Sequence, residues 1–491
     1  MRLLLNFISK HIYLVILIVF FGFLFFFRLD WMPLNSWDEA WYASIAREIV
    51  RNNEWILLKF NNVPFYDHPP MGFWIMAISY KLLGISEFSS RFPSAIVGVL
   101  SMALIYLTSV KLFNKKIIGF AAAIILGTTV WYVIRVRSGN LDSLFVFFYL
   151  LSLYLALKAK EHFYWFPLMS LTFGALMLTK TLIGASAVPI LFVILFPQLI
   201  QVKKNFKIFL LGIGLFVVLV LPWYYINYYA YSDFITHHFL KIGTRNKTFS
   251  SYFQLNQELP LFYLHMGVRK WYYLWLLSTS YLVISLRFFK TNVAIMLFLN
   301  FVILYPFLTT DETQIWHLIP MNIPLALTIS YGLWDLGERL VCISTGFVKA
   351  KNRIIILAKS ILQNQAILSG VYIIAILFIA LWQFKIFYHE VIPSDKHIPD
   401  DVDISQRVSK YDDRIFLDDD YLPIAVYYSD RFMKQMAFEP QERKTLVHLF
   451  NSENEPFVAI TRNWALNNLK ENNIKYVLLE QNNSFSIVKK P

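Results

Sequence analysis

The chain has 491 residues, of which 57% are hydrophobic and only 16% are charged. This composition excludes an ordinary soluble domain and indicates that a lipid bilayer is the main solvent of the protein. The net charge of +13 does not indicate nucleic-acid binding, because the basic residues are scattered in short clusters between apolar runs. An intramolecular disulfide is excluded, since Cys342 has no second cysteine to pair with.

Apolar runs near the length that crosses the hydrocarbon core, about 20 residues, recur from the N-terminal region to Phe384. The first run has no small-residue cleavage site, which predicts a retained signal-anchor helix. We predict about eleven transmembrane helices: Ile8–Phe27, Phe92–Phe113, Ile117–Ile134, Ser143–Leu157, Phe163–Thr179, Leu182–Ile200, Ile208–Ile226, Trp271–Phe289, Val293–Leu308, Ile315–Trp334 and Ala366–Phe384. The shorter run Met71–Gly84 fits either a span or an interfacial helix.

The basic clusters fall in every second loop, so the positive-inside rule places those loops and the N-terminus in the cytoplasm. They are Lys111/Lys115/Lys116, Lys158/Lys160, Lys203/Lys204/Lys207, Arg287/Lys290 and Arg339/Lys349/Lys351/Arg353. The loops 28–91, 135–142, 227–270 and 309–314 are then external, together with everything after Phe384. We predict a multi-pass protein of the plasma (inner) membrane with an extracytoplasmic C-terminal domain.

The composition changes in the C-terminal region. The segment Ser394–Pro491 holds 16 of the 32 acidic residues and 13 of the 45 basic ones, so it is acidic where the rest is strongly basic. We predict a soluble domain over 391–491 that follows a membrane domain over 1–390. Strand-like runs at Arg414–Leu417, Phe457–Thr461, Tyr476–Leu479 and Phe485–Val488 and a helical pattern at Ala465–Glu471 indicate a small α/β fold.

The first external loop opens with two carboxylates, Asp38 and Glu39. Ser36 and Glu39 have the spacing of a capping box, which predicts a helix that begins here with Asp38 at the membrane boundary. An apolar stripe that includes Ile45 would then lie on the membrane surface. Taken alone, the two carboxylates are better explained by a favourable interaction with the helix dipole than by a catalytic role.

The same loop continues with Asp67-His68-Pro69-Pro70, whose prolines stiffen the approach to the next apolar run. Asp67 has the chemistry of a metal ligand or a second acid, and His68 that of a phosphate or metal ligand. A turn with solvated polar residues is the alternative. Asp142 ends the next external loop at the boundary of the following span, where it is either exposed or meets Asp38 across a cavity as a pair for acid/base chemistry.

The long loop after the seventh span contains His237, His238, Lys241 and Arg245. His237, Lys241 and Arg245 recur four residues apart, so on a helix they would share a face suited to an anionic phosphate. The competing interpretation is that these side chains extend towards lipid headgroups.

The order of these motifs resembles a known family. Asp38-Glu39 follows the first span, Gly72-Phe73-Trp74 follows Asp67-His68-Pro69-Pro70, Ser90-Arg91-Phe92-Pro93-Ser94-Ala95 opens the second span, and Asp142 lies in the next external loop. Weaker matches follow at Leu178-Thr179-Lys180, Leu221-Pro222-Trp223-Tyr224 and His317-Leu318-Ile319-Pro320. This pattern resembles the GT-C membrane glycosyltransferases of the protein O-mannosyltransferase and aminoarabinose-transferase group. The resemblance implies an all-α polytopic fold of the GT-C type, to which this chain adds its small C-terminal α/β domain.

The resemblance also implies a reaction, the inverting transfer of a sugar from a polyprenyl-phosphate carrier to a hydroxyl or phosphate of a lipid, glycan or protein acceptor. Asp38 matches the catalytic acidic residue of the family, and Glu39 and Asp142 match further acidic positions of the cavity. Asp67 and His238 match a pair associated with a divalent metal, and no nucleotide cofactor is expected.

By their position, His68, Lys241 and Arg245 are our candidates for binding the carrier phosphate. The chain departs from the aminoarabinose transferases in two places, because His68 stands where they have lysine and Trp41 where they have arginine. The loss of two cations argues against that particular substrate.

A transporter or flippase is the alternative function, since many spans with polar residues near the membrane suit it. Few ionisable residues within the spans, and the lack of an inverted repeat in the sequence, count against it. An accessory membrane subunit with a degenerate site is a third interpretation, which an intact Asp38 disfavours.

Overall fold

The computed structural model describes residues 11–243, 254–255, 258–309, 314–347, 364–418, 422–436 and 446–491. Over these residues a helical part is followed by a small domain built on a β-sheet. The predicted combination of a helical membrane part with a C-terminal α/β domain is therefore confirmed.

The helical part consists mainly of α-helices. The helices are α1 (Ile12–Phe26), α2 (Trp41–Asn52), α3 (Met71–Leu83), α4 (Glu87–Phe113), α5 (Lys116–Gly127), α6 (Val130–Val136), α7 (Asp142–Glu161), α8 (Phe166–Met177), α9 (Thr181–Ala185), α10 (Ala187–Leu199), α11 (Phe206–Ala230), α12 (Glu258–Val268), α13 (Lys270–Ile284), α14 (Thr291–Leu308), α15 (Asn322–Phe347) and α16 (Gln365–Val391). π-helical segments occur at Ser36–Ala40 and Thr236–Gly243, and 3-10 turns at Phe163–Trp165, Val202–Asn205, Arg287–Phe289 and Ile315–Met321. Strands β1 (Lys59–Phe60) and β2 (Val63–Pro64) form an antiparallel hairpin.

Among the described residues, six stretches are helical, long and apolar enough to cross a membrane. They are Glu87–Phe113, Asp142–Glu161, Thr181–Leu199, Val202–Ala230, Thr291–Leu308 and Gln365–Val391. A seventh span results if α5 and α6, which are bent by 74° relative to each other, are counted as one. Shorter apolar helices lie at Ile12–Phe26, Met71–Leu83 and Phe163–Met177. The number of about eleven spans stays a prediction.

The predicted span Ile117–Ile134 is broken at Thr128 and Thr129, between α5 and α6. The two threonine hydroxyls donate to carbonyls one turn back in α5, at 2.7 and 2.8 Å, a contact that favours bending of a helix. The side chain of Gln383 in α16 donates to the Thr128 carbonyl at 2.7 Å, which satisfies a backbone group freed by the break. Because the apolar run continues across the break, the hydropathy of the sequence did not predict that the helix would break there.

Helical structure begins where it was predicted, with the π-helical turn Ser36–Ala40 that contains Asp38 and Glu39, and the α-helix α2 follows from Trp41. The apolar stripe of α2 was predicted to lie on the membrane surface, but it is buried inside the protein. Ile45 and Ile49 are buried in a cluster that includes Phe73 of α3 and Ile424 of the C-terminal domain. The prediction was wrong because amphipathicity shows that one face is covered but not what covers it.

The C-terminal domain contains the strands β3 (Arg414–Asp418), β4 (Met433–Met436), β5 (Phe457–Arg462), β6 (Val477–Gln481) and β7 (Phe485–Lys489) and the helices α17 (Asp400–Val408), α18 (Leu422–Ser429), α19 (Leu446–Ser452) and α20 (Leu466–Glu471). The strand order is β4-β3-β5-β7-β6, with β3 parallel to β4 and β5 and the other pairs antiparallel. Four strands and α20 match the predicted runs. The polar strand β4 was missed because it has no apolar alternation signal of its own.

Candidate active site

Four charged side chains from separate elements meet at the ends of apolar helices, and we call them the charged cluster: Asp38, Arg135, Asp142 and Lys180. Arg135 Nη1 donates to Asp38 Oδ2 at 3.2 Å. Arg135 Nε lies 3.2 Å from Asp142 Oδ2, an ion pair without hydrogen-bond geometry. The two carboxylates predicted to meet are therefore brought together through a guanidinium.

Aromatic rings hold the Arg135 side chain in this place. Its guanidinium carbon lies 5.7 Å from the ring centroid of Trp131 and 5.3 Å from that of Trp316. Trp131 precedes it by one turn in α6, whereas Trp316 belongs to the distant 3-10 turn Ile315–Met321. Because cations are attracted to aromatic faces, these contacts fix the position from which Arg135 reaches both carboxylates.

Lys180 donates to Asp142 Oδ1 and was not predicted as a site residue. It stands between α8 and α9, and the Leu178 carbonyl beside it accepts a hydrogen bond from Met71 N at 3.0 Å. That bond ties the Asp67-His68-Pro69-Pro70 segment to the turn that carries Lys180. A signal was present in the sequence, since Lys180 is a basic residue in a very short loop that the predicted topology places outside, where the positive-inside rule disfavours lysine.

Asp38 remains accessible, with 29% of its side chain exposed. Burial raises the pKa of Asp38 above its usual value, and Arg135 offsets part of that effect. Asp142 raises the pKa of Asp38 further by charge repulsion. A carboxylate with a raised pKa is a stronger base than a free one, as general base catalysis requires.

Glu39 is saturated with hydrogen bonds. Arg91 donates to it from Nε at 2.7 Å and from Nη2 at 3.0 Å. The backbone amides of Asn35 and Gly139 donate at 2.8 Å each. Although burial opposes ionisation, Arg91 and these amides together hold the pKa of Glu39 below its usual value.

Arg91 extends this arrangement to the start of the first loop. Its guanidinium also donates to the carbonyls of Leu29, Met32 and Pro33, each at 2.8 Å. With only 3% of its side chain exposed, Glu39 thus links the loop before Asp38 to helix α4. Its contacts are those of a buried ion pair that holds the backbone together.

The structure pairs Asp67 with His237 and not with His238. His237 Nε2 lies 2.6 Å from Asp67 Oδ1. His238 is buried, with Nδ1 2.9 Å from the Tyr66 carbonyl and Nε2 3.0 Å from Thr181 Oγ1. Because a carbonyl only accepts, Nδ1 must donate to Tyr66, and Nε2 then accepts from the threonine hydroxyl.

The predicted metal pair therefore does not fit the observed contacts, since both ring nitrogens of His238 are engaged. Among the described residues, no three His, Cys, Asp or Glu side chains are placed to hold an ion together. Asp67 and His237 are the pair that faces each other, and each is about a quarter exposed, at 25% and 22%.

The three residues predicted to bind the carrier phosphate, His68, Lys241 and Arg245, differ in their surroundings. His68 is half-buried beside Tyr42, with ring centroids 6.0 Å apart. Burial, with Lys180 nearby, lowers the pKa of His68 to about 4. Lys241 is exposed on the π-helical segment. Arg245 lies outside the residues that the structure describes.

Part of the chain is similar in sequence to known proteins. Residues 67–226 match the family described as dolichyl-phosphate-mannose-protein mannosyltransferase. An undecaprenyl phosphate-alpha-4-amino-4-deoxy-L-arabinose arabinosyl transferase of Aeromonas hydrophila is 36% identical over 107 residues, which cover 22% of this chain and 20% of that protein. A protein of Aquifex aeolicus is 29% identical over 161 residues, which cover 31% of this chain and 32% of that protein. The chain thus matches a third or less of the length of these relatives.

The fold extends the similarity to nearly the whole chain. The crystal structure of ArnT from Cupriavidus metallidurans in the apo state superposes with a TM-score of 0.70 at 15% identity, covering 98% of both chains. The chain resembles the GT-C glycosyltransferases of the O-mannosyltransferase and aminoarabinose-transferase group. This resemblance was predicted from the motifs and is confirmed. The chain is likewise a multi-pass membrane protein, as the relatives and its apolar helices indicate.

Proposed function

We propose that the chain is an inverting glycosyltransferase that moves a sugar from a polyprenyl-phosphate carrier to an acceptor on the external face of the membrane. The observation that carries this proposal is the charged cluster, which pairs an accessible carboxylate of raised pKa with two cations at the ends of apolar helices. The similar ArnT was also crystallised bound to undecaprenyl phosphate, with a TM-score of 0.69. The Aeromonas relative is named for an undecaprenyl-phosphate-linked sugar.

The reaction is a single displacement at the anomeric carbon of the donor sugar. The acceptor oxygen attacks that carbon, the bond between carbon and phosphate oxygen breaks, and the phosphate leaves with the bonding electrons. Asp38 takes the proton of the acceptor hydroxyl as the new bond forms. Since Asp38 bonds Arg135 through one oxygen and is partly exposed, it can accept a proton without leaving the cluster.

The cations of the cluster stabilise the leaving group. Asp38 and Asp142 carry two negative charges, and Arg135 and Lys180 carry two positive charges, so the cluster is close to neutral before a donor binds. A departing phosphate adds negative charge, which cations placed in advance stabilise best in a water-poor site. We assign this task to Lys180 and Arg135, with Asp142 as the residue that orients both.

Lys180 also explains how the chain tolerates His68 and Trp41 where aminoarabinose transferases have cations. It lies close enough to His68 to lower the pKa of that ring, so a phosphate beside His68 would be within its influence. His68 would then serve as a neutral hydrogen-bond partner of the phosphate. Lys241 and Arg245 remain candidates for the outer part of the carrier site.

Glu39 we assign to positioning and not to proton transfer, because its oxygens are occupied by Arg91, Asn35 and Gly139. A divalent metal, if one binds, would be held by Asp67 and His237, where it would supply a further positive charge near the phosphate. The proton transfer assigned to Asp38 does not depend on it.

The sugar is a hexose or pentose, and the acceptor is a lipid, glycan or protein with a free hydroxyl or phosphate. The positive-inside rule supports a cytoplasmic N-terminus, with the charged cluster and the C-terminal domain on the outer side. A lipid carrier suits this placement, because its isoprenoid tail stays in the bilayer while the sugar phosphate reaches the helix ends.

The test is turnover of a panel of polyprenyl-phosphate sugars by purified protein in one detergent, with wild type, Asp38→Asn and Asp30→Asn compared. Asp30 lies exposed in the same loop, so Asp30→Asn makes the same chemical change away from the cluster. We expect one donor to be consumed by wild type and Asp30→Asn and spared by Asp38→Asn. Folded wild-type protein that turns over no donor in the presence of candidate acceptors would contradict the proposal, and lipid flipping in proteoliposomes would then be measured.

A further inference from the structure

We propose that the C-terminal domain is a clamp that holds the Asp38 segment in its working position, with Tyr428 as the principal positioning residue. This inference rests on the proposed function, because the working position is that of Asp38 in the sugar transfer. The clamp gives the C-terminal domain a role in the sugar transfer, whereas its composition predicted only that it is a separate soluble domain. The contacts that carry it come from three elements of the domain, namely α18, β4 and α17.

Tyr428 joins two parts of the site with one hydroxyl. Its Oη accepts a hydrogen bond from Leu34 N at 2.7 Å and donates to Glu87 Oε1 at 3.1 Å. Leu34 lies four residues before Asp38, and Glu87 is the first residue of α4, one turn before Arg91. The C-terminal domain therefore bridges the segment that leads to Asp38 and the helix whose arginine holds Glu39.

Arg47 anchors the other side of the Asp38 segment. It belongs to α2, is only 5% exposed, and donates to the carbonyls of Tyr427 at 2.8 Å and Val426 at 3.0 Å. These carbonyls lie in the last turn of α18, where backbone acceptors lack partners within the helix and a cation is favoured. Asp430, just beyond that helix, pairs with Arg47 at 2.8 Å.

A third contact closes the edge of the sheet. The side-chain amide of Asn61, in the β1–β2 hairpin, donates to the Met433 carbonyl at 2.7 Å and accepts from Met433 N at 3.0 Å. Met433 begins β4, which is an edge strand of the five-stranded sheet. The amide of Asn61 thus takes the place of a neighbouring strand, and the first loop covers an edge that would otherwise be open.

Apolar packing makes the contact continuous. Val402 of α17 and Ile424 and Tyr427 of α18 belong to the same buried cluster as Leu34 and Ala43. Asp38 lies between Leu34 and Arg47 in the chain, so both flanks of this carboxylate are fixed by the C-terminal domain. A domain that only captured the acceptor would not need hydrogen bonds to the backbone on which the base is carried.

The test compares Tyr428→Phe with Tyr411→Phe. Tyr411 donates to Glu480 at 3.0 Å, and Glu480 lies in β6 at the opposite edge of the sheet. Each variant therefore removes one Tyr–Glu hydrogen bond made by a tyrosine of the C-terminal domain, but only Tyr428 bonds outside that domain. We expect Tyr428→Phe to lower kcat about tenfold with the KM for donor and acceptor unchanged. Amide hydrogen exchange of segment 29–40 should become faster in Tyr428→Phe and stay unchanged in Tyr411→Phe.

A second variant, Asn61→Ala, removes the Met433 pairing without touching α18 and should change kcat and exchange in the same direction, by less. Equal effects of Tyr428→Phe and Tyr411→Phe would overturn the clamp, as would a raised acceptor KM at unchanged kcat. Failure of the proposed function can be told apart from failure of the clamp. In the first case wild type shows no turnover, but the hydrogen exchange of segment 29–40 still reports whether Tyr428 holds that segment.

Discussion

Asp38 and Glu39 are consecutive residues whose carboxylates lie in opposite electrostatic surroundings. Burial and Asp142 raise the pKa of Asp38 despite Arg135, whereas Arg91 and two backbone amides hold the pKa of Glu39 below its usual value despite burial. Neighbouring titratable groups whose surroundings separate their pKa values are suited to different tasks. We therefore expect a substitution at Asp38 to reduce activity more than stability, and a substitution at Glu39 to reduce stability more than activity.

Asp38→Asn should abolish turnover without lowering stability at pH 7. Because the pKa of Asp38 in the folded protein lies above its usual 3.8, folding is more favourable with this group protonated, and that advantage is lost as the pH rises through the folded pKa. Asparagine keeps the shape and removes the charge. Thermal unfolding in the detergent of the activity assay should give a Tm at or above that of wild type, and a Tm several degrees lower would contradict the assigned surroundings.

Glu39→Gln should destabilise the fold strongly. Here the pKa is lowered from 4.5, so the ionised group contributes stability above that pH, and the contribution is lost as the pH falls through the folded pKa. Removing one member of a buried ion pair costs about 3 to 5 kcal/mol, and Arg91 would remain buried. The control is Glu54→Gln, which breaks the half-exposed pair with Lys59 in the same loop and should leave the Tm nearly unchanged. Similar unfolding of both variants would show that Glu39 is not a structural anchor.

Arg135→Gln should move the acid limb of the kcat/KM profile to higher pH. Arg135 lowers the pKa of Asp38, so its removal raises that pKa further and the base stays protonated over a wider range. The profile of kcat/KM reports the free enzyme, in which this contact is made. Arg135→Lys keeps the charge and should move the limb less. If the acid limb stays in place or moves to lower pH, the group that titrates in this profile is not Asp38.

Lys180→Met should reduce kcat by about 10² to 10³, the usual effect of removing one group that stabilises developing charge. Lys241→Met should change it only a few-fold, because Lys241 is exposed while Lys180 bonds Asp142 inside the cluster. Single-turnover measurements with saturating donor, on variants whose unfolding matches wild type, compare the two lysines directly. A larger loss of kcat in Lys241→Met than in Lys180→Met would indicate that the carrier phosphate binds at the long loop that contains Lys241.

The sequence by itself determined the membrane setting, the C-terminal α/β domain and the family resemblance. These features depend on local properties, namely the length of apolar runs, the sign of loop charges, strand-like alternation and the order of Asp38, Asp67 and Asp142 after successive spans. Each can be read from neighbours in the chain, because hydropathy and periodicity report which solvent a segment faces.

Only the tertiary structure decided which side chains meet. Arg135 points to Asp38 and Asp142 because α6 turns away from α5 at Thr128, and an unbroken apolar run gives no sign of that bend. Lys180 joins them from a turn 38 residues further along the chain than Asp142. The choice of His237 over His238 as the partner of Asp67, and the covering of α2 by the C-terminal domain, have the same physical reason: pairing across the chain depends on how helices pack, and periodicity describes only one element at a time.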